Sequence, residues 1–600
     1  MAKTLPKRSE VAPETTWDLS HIVKDDAAWL ELYRQCEDTV ATLNGMEQEF
    51  LSSSEKLLHF LQTKDQLEEN FGRIYGYAQM GWHQDTSNAE KQALAQKSEA
   101  LLVLIQSQLS FVEPMLLTLS AADLERYFTE KPELTVYRQY FDNLFRTQQH
   151  VLPKEQEELL ALVGDVTSGI DNTFSMFNNA DIRFQPITDE NGETVELTHG
   201  NYIGFMESAD RQVRQAAFSS MYAAYKANIN TLASIYNMNL KSHLLNMRVR
   251  GFASTCEAAL FVNNVPVSIY DQLLSTINES LPVFHRYMRL RKKILKLPEL
   301  HMYDIYTPLF PDTDTKISFE DAKETVLKAI APMGEKYVNT VRHAFDNHWL
   351  DVYENKGKRS GAYSWGVHGV HPYVLLNHTN TLNNMFTLAH EMGHAMHSYL
   401  SSEKQAYVNH DYSIFLAEIA STCNENLLIQ YLLKNTEDKK LRLAYMNHFL
   451  EGFRGTVFRQ TMFAEYERAT HELVEKGEAV TADTLSEMYY RLNQKYYGDA
   501  VVSDDDIRYE WSRIPHFYYN YYVFQYATGL ISSVAIADMI LTEGQTAVDR
   551  YTNEFLSAGC SKYPLDILKN TGVDITQKEP MLRAIKVFEN MMDEMEKLIE

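Results

Sequence analysis

Residues 390–394 read His-Glu-Met-Gly-His, within the longer stretch 382–400, Leu-Asn-Asn-Met-Phe-Thr-Leu-Ala-His-Glu-Met-Gly-His-Ala-Met-His-Ser-Tyr-Leu. Apolar residues recur in this stretch at three- and four-residue spacing, which predicts a largely buried α-helix. Thr381, directly in front of it, is a candidate N-cap. His390 and His394 are one helical turn apart and share a face, so their imidazoles can bind one metal ion.

Glu391 is rotated from His390 by about 100° around the helix axis, which places it off the ligand face but beside the metal. A carboxylate in that position can take a proton from a water molecule on the metal. The pattern His-Glu-x-x-His therefore predicts one zinc ion per chain, with Glu391 as general base. The alternative is a solvated helix face with incidental histidines. The apolar surroundings disfavour it, because buried polar groups need partners.

The third metal ligand must come from another part of the chain. A helix predicted over 412–433 carries Glu418 within the apolar run Ile-Phe-Leu-Ala-Glu-Ile-Ala. Glu418 is a candidate ligand, and a glutamate that only caps or ion-pairs its helix is the alternative. Glu425, seven residues on and near the same face, is expected to orient a ligand histidine. His397 either supports the site or is an ordinary core residue.

Residues 516–526 read His-Phe-Tyr-Tyr-Asn-Tyr-Tyr-Val-Phe-Gln-Tyr. Interpreted as a helix, this segment has one face that carries a histidine and three tyrosines at three- to four-residue spacing. Imidazole and phenol groups there could donate hydrogen bonds to the oxyanion that forms during amide hydrolysis. Those candidate catalytic residues are His516, Tyr519, Tyr522 and Tyr526. The alternative is a helix packed by rings, which is the interpretation adopted for Tyr518 and Tyr521.

Strand signals are few and local. Residues 182–188 and 194–198 flank an Asn-Gly dipeptide, which predicts a hairpin. Glycines and aromatic residues in 361–377 suggest two short strands just before the metal motif. An exposed edge there could bind a peptide through its main chain, along 361–364 or 373–376. A purely structural hairpin is the alternative.

The rest of the 600-residue chain predicts a mainly α fold. Hydrophobic residues make up 45% of it, which is enough for a large core. Amphipathic helical patterns run over 53–63, 66–80, 88–109, 210–248, 269–295, 319–347 and 581–599. A coarse division places a helical N-terminal lobe at 1–190 and a catalytic lobe at 191–600.

Charge and cysteine content limit the partners. The formal net charge of −25 argues against nucleic acid or an anionic membrane as the main partner. Residues 1–11 contain no apolar core of a signal peptide, and no stretch reaches the roughly 20 apolar residues of a membrane span, so we expect a cytoplasmic protein. Cys36, Cys256, Cys423 and Cys560 are far apart, which disfavours a disulfide framework. The oligomeric state is left open.

Four segments together resemble the thimet oligopeptidase family of zinc peptidases, in its oligoendopeptidase F branch. These segments are Thr16-Trp-Asp-Leu19, residues 390–397, residues 415–421 and residues 514–529. The resemblance implies a two-lobed helical body with a deep central channel, and it maps the glutamate ligand onto Glu418. It also implies transition-state stabilisation by a His and a Tyr of the C-terminal segment. The expected activity is cleavage of internal bonds in short cytosolic oligopeptides.

Two other functions are compatible with these residues. An exopeptidase could use the same chemistry, but it would need a dedicated site for a free peptide terminus. A peptide-binding or scaffold protein could hold an inactive zinc ion. Glu391 disfavours the scaffold, because a structural zinc site needs no base and is normally closed by four protein ligands.

Overall fold

A computed structural model describes residues 5–310 and 316–600 of the chain. The described chain is mainly helical, and its strands form small sheets, which confirms the predicted fold class. Before residue 311 the α-helices are α1 (Asp26–Gly45), α2 (Ser54–His83), α3 (Ala89–Gln108), α4 (Val112–Leu116), α5 (Ala121–Glu130), α6 (Arg138–Thr147), α7 (Lys154–Met176), α8 (His199–Met206), α9 (Arg211–Ala227), α10 (Ile229–Arg250), α11 (Thr255–Leu260), α12 (Val267–Glu279) and α13 (Leu281–Ile294). After residue 315 they are α14 (Phe319–Ala329), α15 (Glu335–Asp346), α16 (Leu382–Lys404), α17 (Ile414–Asn435), α18 (Lys439–Phe453), α19 (Arg459–Glu475), α20 (Ala482–Tyr497), α21 (Phe524–Glu543), α22 (Gln545–Arg550), α23 (Pro564–Thr571) and α24 (Glu579–Ile599). The strands are β1 (Ile187–Thr188), β2 (Thr194–Val195), β3 (Leu350–Asp351), β4 (Tyr363–Trp365) and β5 (Tyr373–Leu375).

The helices begin and end where glycine and proline interrupt the chain, more than where the apolar pattern changes. The predicted helices over 53–63 and 66–80 form one helix, α2, because no glycine or proline separates them. The predicted helix over 319–347 is instead divided into α14 and α15. Pro332 lies in the interruption, and Gly334 there has a φ of 86°, a conformation that favours glycine.

The described chain folds into two compact units, each assembled from distant segments. The first contains the described residues of Met1–Gln149, Asp314–Tyr431 and Ile536–Val573, and the second those of His150–Thr313, Leu432–Ala535 and Asp574–Glu600. The predicted division between residues 190 and 191 differs from these units, since it cuts the β1–β2 hairpin of the second unit. As a division into functional lobes it stays a prediction.

The predicted hairpin forms with shorter strands than expected, and the two short strands predicted before the metal motif form as well. β1 pairs with β2 in antiparallel register, and β4 pairs with β5 in the same sense. β5 also pairs with β3 in parallel, so the strand order is β3, β5, β4. The sequence did not predict β3, because two residues are too few to show a strand period.

The β3–β5–β4 sheet lies next to α16 in the first unit. α16 packs against β4 and β5, as predicted for a small sheet beside the metal motif. The N-terminal segment supports the same sheet, because the ring of Trp17 meets that of Tyr373 edge-on at 6.1 Å. The Tyr373 hydroxyl donates a hydrogen bond to the backbone oxygen of Asp18 at 3.0 Å.

One helix bears on the expectation that no stretch is apolar enough to span a membrane. Among the described helices, α21 is long and apolar enough to cross a membrane by length and composition, with a mean hydropathy of 1.4. The segments Ala89–Leu116 and Ala121–Glu130 meet this criterion only as a pair, and the chain bends by 102° between them. Within α21, 72% of the apolar window is buried inside the protein, which is typical of a core helix.

Candidate metal centre

α16 presents both motif histidines on one face. Thr381 caps the helix as predicted, since its hydroxyl accepts a hydrogen bond from the Asn384 N–H at 3.2 Å. The rings of His390 and His394 lie 4.9 Å apart between centroids, at an interplanar angle of 80°. Two nitrogen donors therefore converge from consecutive turns of one buried helix.

Glu418, on α17, completes a three-residue donor set. Its Oε2 lies 3.4 Å from His390 Nε2 and 3.6 Å from His394 Nε2. The three ligand atoms all lie within 4.8 Å of one another. In a tetrahedral zinc site with bonds of about 2.0–2.2 Å, ligand atoms are about 3.3 Å apart. Donor types and spacing therefore fit zinc, and three protein ligands leave one position for water or substrate.

Gly393, inside the motif, allows α17 to approach α16 closely. A Cβ atom on Gly393 would lie 2.5 Å from the backbone oxygen of Ala420, a distance that the backbone cannot accommodate. The amide of Asn424 joins the same helices, donating a hydrogen bond to the Ala389 backbone oxygen at 3.1 Å. This close packing brings Glu418 to the histidines.

Gly393→Ala is therefore expected to push α17 away and to weaken metal binding. Overpacking of this kind costs about 1–3 kcal/mol of stability. Zinc affinity from competition with a chromogenic chelator, and the thermal unfolding midpoint, should both fall. Gly452→Ala on α18 is the matched control, because a Cβ there meets nothing within 4 Å. Unchanged zinc affinity in Gly393→Ala would contradict this role.

The surrounding glutamates favour positive charge at the donor set. Burial would lower the pKa of His390, but its hydrogen bonds with Glu418 and Glu425 raise that pKa to about 10. Burial would raise the pKa of Glu418, yet His390 and His394 hold it well below its usual range. Glu425 Oε1 lies 2.5 Å from His390 Nδ1, the contact expected of a residue that orients a ligand imidazole.

Glu391 is buried beside the histidines, with only 6% of the residue exposed. Its Oε2 has no hydrogen-bond partner among the described residues. Burial raises the pKa of this carboxyl, against the lowering effect of His390 and His394. A buried carboxylate oxygen needs a polar partner, and a raised pKa suits a general base near neutral pH.

His397 has the environment of a core residue, which favours that interpretation over a supporting role at the metal. It is 0% exposed, and its ring stacks on Tyr412 at 3.6 Å and on Phe555 at 5.1 Å. Burial lowers the pKa of His397 to about 3, so the ring is neutral.

The sheet order decides between the two strands considered for peptide binding. β5 has partners on both sides, so residues 373–376 offer no free edge along the strand. β4 is at the edge, and within the described chain no strand pairs with its other side. The strand that begins at Tyr363 is therefore the one that can accept a peptide by main-chain pairing.

The tyrosine segment is not the continuous helix that its spacing predicts. A 3₁₀ turn covers Pro515–Tyr518, and α21 begins only at Phe524. Between them Asn520 and Tyr521 have left-handed φ values of 45° and 58°. The helical prediction is wrong here because burial of Tyr521 and a hydrogen bond from its N–H to Glu467 outweigh local propensity.

The four candidate rings nevertheless gather in the second unit. The centroid of the His516 ring lies 5.7 Å from that of Tyr519, 6.2 Å from that of Tyr522 and 5.8 Å from that of Tyr526. Burial lowers the pKa of His516, so the imidazole is neutral at neutral pH. A neutral ring next to phenols gives a set of hydrogen-bond donors.

Tyr518 and Tyr521 have the packing role that was predicted for them. Tyr518 stacks on Phe174 with centroids 4.3 Å apart. Tyr521 is 2% exposed, and its ring lies 4.6 Å from that of His471. These two rings anchor the segment from which the candidate donors project.

Glu467 holds the turn of the tyrosine segment, a role that could not be predicted from the sequence. This fully buried carboxyl group accepts a hydrogen bond from the N–H of Tyr521 at 2.6 Å. Burial raises the pKa of Glu467 to about 8. A left-handed tyrosine costs about 1–2 kcal/mol, so the turn needs such an anchor. Glu467 lies on α19, 54 residues away in sequence, where it resembles any other helical glutamate.

Glu467→Gln is expected to stabilise the protein more at pH 8 than at pH 5. In the unfolded chain a glutamate loses its proton near pH 4.3, whereas folded Glu467 keeps it up to about pH 8. The free energy of unfolding of the wild type therefore falls by up to about 1.4 kcal/mol per pH unit as the pH rises across this window. The glutamine side chain does not titrate, so the variant does not lose this stability. Thermal midpoints from pH 5 to 8 measure the effect. Glu472→Gln on the same helix is the control, and a constant difference would contradict the prediction.

The fold and the site define a class of protein, the mainly helical metallopeptidases with a His-Glu-x-x-His helix and a glutamate from a second helix. Residues 204–587 match the family model for peptidase family M3. Residues 116–184 match the model for oligopeptidase F. The chain belongs to peptidase family M3, which confirms the predicted family and the prediction of a metalloendopeptidase.

Named relatives span the whole chain. It is 46% identical over 598 residues to oligopeptidase PepF of Bacillus subtilis (strain 168), covering 100% of this chain and 89% of the relative. A solved protein of Chlamydophila abortus superposes with a TM-score of 0.92 at 33% identity, covering 99% of this chain and 100% of that one. Oligoendopeptidase F of Enterococcus faecium gives a TM-score of 0.73 at 39% identity, covering 96% and 99%.

Proposed function

We propose that the chain is a zinc-dependent endopeptidase that hydrolyses internal bonds of short oligopeptides. The observation that carries the proposal is the set of three ligand atoms, from His390, His394 and Glu418, within 4.8 Å of one another. The buried carboxyl of Glu391 beside them supports hydrolysis rather than a structural metal. The names of the Bacillus subtilis and Enterococcus faecium relatives support oligopeptides as substrates.

Each residue of the centre has a distinct role in the proposed reaction. His390, His394 and Glu418 hold the zinc ion, which when bound supplies a Lewis acid that polarises the scissile carbonyl and acidifies a water molecule. Glu391 takes the proton of the attacking water and passes it to the leaving amine. Glu425 holds the His390 ring through its contact with Nδ1.

Hydrogen-bond donors and an edge strand complete the proposed machinery. The candidate donors to the carbonyl oxygen as it gains negative charge are His516, Tyr519, Tyr522 and Tyr526. The free edge of β4 binds the substrate backbone, which makes recognition tolerant of side chains. We assign the protein to the cytoplasm, and its four free cysteines fit a reducing compartment.

An internally quenched peptide blocked at both ends tests this function. We expect cleavage at an internal bond, loss of cleavage after treatment with a chelator, and recovery when one equivalent of zinc is added. Cleavage restricted to peptides with a free end would instead identify an exopeptidase. Zinc binding without any hydrolysis would favour the scaffold and would refute the proposal.

A further inference from the structure

A cavity of about 400 Å³ lies in the first unit, and several of its lining residues are close in sequence to the candidate metal ligands. Its walls come from residues 364–366 at the end of β4, from α16, and from residues 410–417. Ser398 in this wall follows His394 by one helical turn, and residue 417 directly precedes Glu418. The lining therefore includes residues within one helical turn of His394 and Glu418.

The cavity borders the C-terminal end of β4, the strand with an unpaired edge. Trp365 ends that strand and lines the cavity together with Gly366. Gly366 packs tightly on α16, since a Cβ on it would lie 2.9 Å from the Cβ of Ser398. A peptide paired with β4 would run along this wall, and its side chains would alternate between the two faces of the strand. One substrate side chain can therefore enter the cavity.

The cavity lining carries negative charge. Its lining contains the carboxylate of Asp411 and no lysine or arginine. Asp411 is exposed, accepts a hydrogen bond from the N–H of Tyr412 at 2.8 Å, and has no ion-pair partner among the described residues. Burial lowers the pKa of His410, so this histidine in the lining is neutral at neutral pH. An occupant with a positive end would find its counter-charge at Asp411.

The other part of the lining is apolar. Ile414 and Ala417 contribute carbon surface, and Ile414 is 52% exposed. A side chain with a long apolar stem and a cationic end matches both parts, because such side chains bury the stem and keep the charge in a polar environment. Lysine and arginine have this form.

We propose that the cavity binds a lysine or arginine side chain of the substrate and that Asp411 determines this specificity. The inference rests on the proposed function, because it identifies the occupant as part of a peptide held on β4. A free N-terminal ammonium has the same charge, and blocked peptides separate the two sources.

The test uses a series of neutral peptides that are acetylated and amidated at their ends and carry a single lysine at each position in turn. A peptide with norleucine at the same position is the uncharged comparison. At one position the wild-type protein should prefer lysine by about three- to tenfold in kcat/KM. Asp411→Asn should reduce that ratio to near one, and Asp411→Lys should instead favour glutamate over glutamine there. Glu403→Gln, an exposed acid on α16 that does not line the cavity, is the control and should keep the lysine preference.

Equilibrium binding of the same peptides to Glu391→Gln gives a second measurement that needs no hydrolysis. If blocked peptides are bound with the lysine preference but not cleaved by the wild type, the proposed function fails and the cavity assignment stands. A preference seen only with a free N-terminus would assign the cavity to the ammonium group. Any of three results would overturn the inference. These are a preference that requires a free N-terminus, equal binding of lysine and norleucine at every position, and a lysine preference that persists in Asp411→Asn.

Discussion

Glu391→Gln is expected to lower kcat for an end-blocked peptide by about 10²–10⁴-fold while zinc stays bound. The amide keeps the size of the side chain but cannot accept a proton from water. The carboxyl is buried beside His390 and His394, and its Oε2 lacks a partner among the described residues. Removing its charge therefore removes the base without disturbing the ligands.

The measurement pairs steady-state kinetics with zinc content by mass spectrometry. Glu403→Gln, on the same helix but exposed, is the matched control and should retain full activity. If Glu391→Gln cleaves at the wild-type rate, another group is the base. If it loses zinc as well as activity, Glu391 supports the metal rather than the proton transfer.

Glu418→Ala is expected to have the second large effect, a loss of zinc binding and with it of hydrolysis. Its Oε2 lies within 3.6 Å of both ligand nitrogens, and removing it leaves two protein ligands on one helix. Two imidazoles alone make a weaker and less specific site than a three-ligand zinc centre. Zinc affinity is measured by competition with a chelator of known affinity.

Glu425→Gln provides the graded comparison for Glu418→Ala. A residue that only orients a ligand imidazole costs about 10–100-fold in affinity when it is replaced. Glu418→Ala should exceed that loss clearly. A smaller loss for Glu418→Ala than for Glu425→Gln would exchange the roles assigned to the two glutamates.

Those parts of the site that depend on local periodicity could be predicted from the sequence. The spacing of His390 and His394, the N-cap at Thr381 and the helical setting of Glu418 are properties of single helices. The β4–β5 hairpin is equally local. The role of Gly393 could not be predicted, because its reason is the backbone of Ala420 on another helix.

The tyrosine segment shows why local spacing is not enough. The rings of His516, Tyr522 and Tyr526 lie close together, as predicted, but a left-handed turn rather than a helix brings them there. The reason is the buried Glu467, which is distant in sequence. The two units could not be predicted from the sequence for a similar reason. Each combines distant segments that only tertiary contacts bring together.

Anomalous diffraction at the zinc edge, from crystals of the zinc-loaded protein, shows directly which residues bind the metal ion. We expect one peak per chain, at about 2.0–2.2 Å from the Nε2 atoms of His390 and His394 and from a carboxylate oxygen of Glu418. A peak bound to other residues, or a fourth protein ligand that closes the site, would contradict it.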